Sequence, residues 1–228
     1  MPIFWFGLLA DLLVFGGISF GLPFLATHLA AYEGFTKGWI GFYFSAPAIA
    51  FFLNCLLIRS YTKILPRRLV ITCGLIFYAT ALFCVATSPL LSMTNNPYTI
   101  LFGLILLGWS AVLVVVPMVP ELLSSIETEY PHLKGEQLNN VISGYINTSI
   151  STGEALGPVT SGIMTEIIGF RKSVDLYAAT MVVFVILFFL CNKNILQDQK
   201  GTQIDDYVQD PEQAKSEGNK SEAIIASN

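Results

Sequence analysis

Charge is scarce in this sequence. Only 12% of its 228 residues are Asp, Glu, Lys or Arg, against about 25% in an ordinary soluble domain. With 54% hydrophobic residues and a mean hydropathy of +0.63, that scarcity argues against a water-soluble globule and for a bilayer. The cysteines at positions 55, 73, 84 and 191 lie in apolar runs, and no two form CxxC. A zinc site or disulfide framework is therefore not expected, and they read as small buried hydrophobes. No cofactor or metal is implied. A basic patch with interleaved aromatics is missing too, so nucleic acid is not an expected partner. The opening MPIFWFGLLADLLVF lacks the basic lead of a signal peptide and carries Asp11 within its apolar run. A start so close to the membrane points to a fragment or one part of a split chain. The net charge of −4 says little, because many acids lie near the C-terminus.

What is present is long apolar runs. A hydrocarbon core of about 30 Å needs about 20 apolar residues as helix. Six runs qualify, at 3–31, 38–59, 69–88, 99–124, 140–168 and 174–191, here called A to F. The breaks between them, YEGFTKG, SYTKILPRR, TSPLLSMTNNPY, IETEYPHLKGEQ and GFRKS, carry turn formers, charge or both. The expected fold is all-α: one six-helix transmembrane bundle over 1–192 and a disordered polar tail over 193–228. Arg59, Lys63, Arg67, Arg68, Lys134, Lys193 and Lys200 fall on one face, against Lys37, Arg171 and Lys172 on the other. The positive-inside bias places both termini in the cytoplasm of a multi-pass protein. The sequons NKS at 219–221 and NTS at 147–149 are discounted, the first as cytoplasmic and the second as lying inside a span.

Runs C and F hold the least polarity and read as lipid-facing. A, B, D and E carry Pro, Gly and polar groups, among them Asp11 in A, Asn54 in B and Glu121 in D. Such groups face protein or a water cavity when they lie at membrane depth. The rhythm, two polar-bearing helices and then a greasy one, suggests two three-helix repeats.

Run E is the least greasy. Ser149, Gly153, Gly157 and Ser161 recur every four residues, a small-residue ridge that admits another helix to backbone contact. Asn147, Ser151, Glu154, Pro158, Ser161 and Thr165 follow alternating spacings of four and three, which puts them on one side of a helix. An acid near mid-membrane costs roughly 3 kcal/mol or more, so Glu154 needs a proton, a partner or water. That suits a proton carrier on a solute pathway, or else a neutral acid making one interhelical hydrogen bond. Asp11, nearer the end of its run, reads as a second pathway candidate or as a pair to a basic loop residue. Glu121 follows Pro120, where a solvated helix end or a gate contact is expected. Glu166 and Asp175 sit at the outer rim beside Arg171 and Lys172, and His28 reads as packed or hydrated.

Run E also carries a resemblance. Gly144, Gly153, Gly157, Pro158 and Gly162 match G-x8-G-x3-G-P-x2-G-G, with Ser161 replacing one glycine. This resembles the antiporter signature of the major facilitator superfamily, found in the fifth and often the eleventh of twelve helices. The loop RSYTKILPRR is similar to the family's G-x-x-x-D-[RK]-x-G-[RK]-[RK] only at Arg67 and Arg68. Such a degenerate copy fits the loop between helices eight and nine, and so the C-terminal half. PFLATHLAAYEGFTKGWIGFYF and VPMVPELLSS look like the drug and vesicular-amine branch. The resemblance implies proton-coupled transport of a small solute by alternating access, with A and D lining a cavity, B and E a seam, and C and F facing lipid. It also implies a second six-helix half as partner, either a missing N-terminal half or another copy.

Six spans are also compatible with three other classes. An intramembrane serine protease needs an activated Ser and a neighbouring His. The two histidines, His28 and His132, lie near the outer face and in a loop, poor places for that role. A channel would show paired Asn-Pro-Ala loops or a TVGYG filter, and neither occurs. A non-transporting scaffold or subunit derived from a transporter half is the remaining alternative.

Overall fold

The computed structural model describes residues 2–32, 35–93, 95–129 and 136–191. The tail, His132 and Lys134 lie outside them. Six helices follow one another: α1 (Pro2–Ala30), α2 (Lys37–Ile64), α3 (Arg67–Val85), α4 (Pro97–Glu129), α5 (Glu136–Ile168) and α6 (Phe170–Cys191). The all-α expectation holds. In hydrocarbon a helix satisfies its own backbone groups, so each apolar run has one good solution. Five of the six are long and apolar enough to cross a membrane. α5 is the exception: at 33 residues it spans about 50 Å, but its polar content keeps it out of that set.

Helix ends differ from the apolar runs for local reasons. α2 continues past Arg59 to Ile64, because charged side chains at a helix end reach the interface without breaking the backbone. It stops where Leu65 turns extended ahead of Pro66. The stretch read as a GFRKS loop is almost entirely helix. Gly169 alone separates α5 from α6, at φ +83°, a left-handed conformation that favours glycine.

The helix pairing has an internal symmetry. α1 packs along α5, α2 along α4, and α3 against α6. Exchanging the first three helices for the last three leaves this set unchanged, as two three-helix repeats require. The exchange is imperfect in one respect. α3 packs extensively on α4, far more than α6 does on α1. Glycine explains the closeness: a Cβ on Gly74 would lie 2.8 Å from the Leu113 Cβ, and one on Gly103 would lie 2.7 Å from the Val85 amide nitrogen.

That packing corrects one expectation. α3 is not a mainly lipid-facing helix. It is the most buried of the five apolar helices, with Ile76 and Phe77 on a narrow exposed stripe. α6 does present an apolar outer face, through Val183, Ile186, Leu187 and Phe189. Lipid-facing and core-facing residues are equally greasy, so hydropathy could not separate these two helices.

Candidate functional site

α5 is built with two unlike faces. Its inner ridge, Ser149, Gly153, Gly157 and Ser161, is buried against α1. Ser149 donates its hydroxyl to the Leu8 carbonyl. A Cβ on Gly153 would meet the Leu12 carbonyl oxygen at 2.3 Å, and one on Gly157 would meet that of Gly16 at 2.6 Å. The three contacts advance together by four residues, so the helices run parallel in fixed register. Parallel direction follows from α1 and α5 both being odd-numbered crossings.

The outer face carries the polar stripe. Asn147, Ser151, Glu154 and Pro158 are all exposed, and Asn147 and Ser151 line an open depression with Thr148 and Thr152. Ser161 does not belong with them: it sits on the buried ridge, its hydroxyl without a hydrogen-bond partner. Glu154, which needs a proton, a partner or water at membrane depth, lies on the open side of this bundle. The glycine signature divides in the same way. Gly153 and Gly157 are packing residues, whereas nothing stands within 4 Å of a Cβ placed on Gly144 or Gly162. Those two do not serve packing within this bundle.

Asp11 lies on a different side of α1. It is 1% exposed, and neither carboxylate oxygen has a hydrogen-bond partner. The expected pairing with a basic loop residue is not formed. One turn earlier, Gly7 abuts Met118 and Leu122 of α4. In the turn after it, Tyr78 donates to the Val14 carbonyl at 2.5 Å and Tyr177 to that of Leu13 at 2.7 Å. The α1–α5 register puts Glu154 level with Leu13, so the two acids differ in depth by about 3 Å.

Glu121 is not a solvated helix end. It is 3% exposed, and Arg68 Nε donates to its Oε1 at 2.6 Å, tying the start of α3 to α4. Arg68 and Glu121 are thus brought together, and Arg67 precedes Arg68 in sequence. Pairing is what makes a buried carboxylate tolerable. Asn54 finds a backbone partner instead, donating to the Trp109 carbonyl at 2.7 Å and joining α2 to α4.

At the opposite end, Arg171 fastens the loop between α3 and α4. Its guanidinium donates to the carbonyls of Ala86, Thr87 and Met93. Asp175 accepts from the Leu90 amide at 3.3 Å. The rim pairing expected among Glu166, Asp175, Arg171 and Lys172 is replaced, for Arg171 and Asp175, by contacts to backbone. His28 packs against the rings of Tyr32 and Phe170. Tyr32 donates to Asn95 Oδ1, and partial burial raises its phenol above the ordinary range. Sequence reasoning missed the roles of Asn95 and Arg171, which depend on contacts between distant segments. Among the described residues no cluster of three potential metal ligands occurs.

This division of α5 into a glycine-packed face and an open polar face bears directly on comparison with known proteins. The chain is 22% identical to the MFS-type transporter SLC18B1 of Rattus norvegicus over 205 residues, covering 87% of this chain and 45% of that protein. It is 23% identical to the same transporter of Mus musculus over 193 residues, covering 81% and 41%. The likeness is to a major facilitator carrier, and it is distant. No family model matches the chain. The chain spans less than half the length of the curated relatives it matches.

Proposed function

We propose that this chain is one six-helix half of a major-facilitator-type carrier, working by alternating access on a small solute with proton coupling. The observation that carries the reading is the outer face of α5. Asn147, Ser151 and Glu154 lie exposed on a helix whose opposite side is locked to α1, in a bundle whose other helices are strongly apolar. Lipid is a poor neighbour for that stripe. A second bundle with a wet seam is a good one, and two bundles that rock about a midplane site supply it.

Within this reading Glu154 is the proton-responsive group at the seam, and Asp11 is a second acid at nearly the same depth. Gly144 and Gly162, which have no close neighbours here, meet the opposing half. Arg68 and Glu121 hold α3 to α4 at one end of the bundle, with Arg67 beside them. Both termini are cytoplasmic. Distant likeness to a transporter over most of the chain supports the class, and the paired three-helix pattern supports the architecture. A missing N-terminal half is the preferred partner, because the relatives are more than twice the length matched.

The test is uptake into proteoliposomes carrying this chain with and without a partner half, under an imposed pH gradient. Glu154→Gln is expected to abolish pH-driven uptake while leaving the protein folded. Unchanged pH dependence in that variant would remove Glu154 from the mechanism. No uptake with any partner half would favour a scaffold descended from a carrier.

A further inference from the structure

His28 lies in the last turn of α1, at the end of the bundle where the α3–α4 loop meets the start of α6. Its ring is held between Tyr32, edge-on at 5.7 Å, and Phe170 at 5.1 Å. Its Nε2 atom is buried and has no hydrogen-bond partner. A neutral imidazole can bear one idle nitrogen. In a protonated one both nitrogens become donors, and a buried charged donor without an acceptor is costly. Asn95 is within hydrogen-bonding reach, but its Oδ1 already accepts from the Tyr32 hydroxyl and, at 3.0 Å, from Thr87 Oγ1. Two donors fill both lone pairs of that oxygen. The charge that acts on the ring is of the wrong sign to help: it is Arg171, which follows Phe170 on α6.

Asn95 and Arg171 are also the side chains that hold the α3–α4 loop. Asn95 takes the Thr87 hydroxyl, and Arg171 takes the carbonyls of Ala86, Thr87 and Met93. Asp175, one turn along α6, accepts from the Leu90 amide. The loop needs holding. Thr87 and Ser92 have φ of +43° and +53°, left-handed values that are costly without glycine, above all for a β-branched residue. Residues 86–96 carry no ionisable side chain of their own. On α2, Tyr43 donates to the Pro97 carbonyl at 3.2 Å. Glu166 and Lys172 at this end are exposed to the surroundings.

We propose that His28 is a proton-operated catch on this loop: its protonation draws Asn95 away from Thr87, repels Arg171 from the loop carbonyls, and releases residues 86–93. The sign follows from charge. A neutral ring leaves the loop fastened; a cationic ring beside Arg171, competing for a filled acceptor, unfastens it. Histidine changes charge between pH ~5 and ~8, so release belongs to the mildly acidic side of that window. The catch is independent of the α5 seam and of whether the protein transports anything.

Amide hydrogen exchange on the full chain in nanodiscs, corrected for the intrinsic effect of pH on exchange, reads the loop directly. Protection of residues 86–93 should be present at pH about 7.5 and lost at about 5.5, and it should return when the pH is raised again. His28→Phe keeps an aromatic ring between Tyr32 and Phe170 but cannot titrate, so its loop should stay protected at both values. Asp175→Asn should keep the pH response; its disappearance there would make Asp175 the sensor and overturn the proposal. The chain has two histidines, so His132→Gln leaves His28 as the one imidazole for NMR. Its titration midpoint should coincide with the midpoint of lost protection. Separate midpoints would overturn the proposal, even if His28→Phe failed to fold. So would a loop equally protected at both pH values, or a pH response that survives in a folded His28→Phe.

Discussion

The α1–α5 contact allows a sharp test, because one motif supplies both the experiment and its control. Gly153→Ala places a methyl 2.3 Å from the Leu12 carbonyl oxygen and 2.9 Å from the Gly16 nitrogen. Ordinary contact begins at 3.4 Å, so the helices must part by roughly 1 Å at that level. The obstruction is backbone and cannot rotate away. Overpacking of this kind costs about 1–3 kcal/mol, and alanine recovers up to about 1 kcal/mol in helix propensity. With that recovery in full, the net expectation is a loss of up to about 2 kcal/mol. Near 2–4 °C per kcal/mol for a chain of this size, Tm should fall by several degrees. Gly162→Ala gains the same propensity and meets nothing within 4 Å, so its Tm should hold or rise. A thiol-reactive dye can follow unfolding, since Cys84 is buried and free. Equal Tm values for the two variants would show that α5 does not ride on α1 in the register described.

Further outcomes follow from other contacts. Arg68→Ala should cost about 3–5 kcal/mol by stranding the Glu121 carboxylate, and Arg68→Met with Glu121→Gln should recover most of it; failure of that rescue in thermal melts would deny the pairing. Arg171→Ala should raise amide hydrogen exchange in residues 86–93, because three carbonyls lose a cationic donor; unchanged protection would refute the fastening. Asp11→Asn should leave Tm unchanged or higher, since an amide of the same shape replaces an acid with no partner. A clear drop would reveal a partner for the carboxylate.

Much of the fold was readable in the sequence. Uninterrupted grease of bilayer length leaves a helix as the backbone that satisfies its own polar groups, which accounts for five of the six runs. The ridge on α5 was also readable, because small residues at four-residue spacing have one main use at membrane depth. The orientation of α3 was not. Its apolar surface suits lipid and protein alike, and the decision lay with Gly74 and Gly103, whose partners are on another helix. The fate of the acids was equally hidden. Glu121 found Arg68 across 53 residues, Asp11 found none, and nothing local to either acid foretold the difference. Ser161 shows the limit of helical-wheel reasoning. It fits both the ridge and the stripe by spacing, and only the direction of α1 settles which.

Gly169 has a mechanical consequence. With a single residue between them, α5 and α6 cannot be displaced independently at that end of the bundle. Arg171, two positions further on, grips the loop linking α3 to α4 at the same end of the bundle. A tilt of α5 would therefore be felt at that loop as a pull, with no slack to absorb it. Lengthening this joint by a few flexible residues should uncouple the two movements while leaving every helix intact.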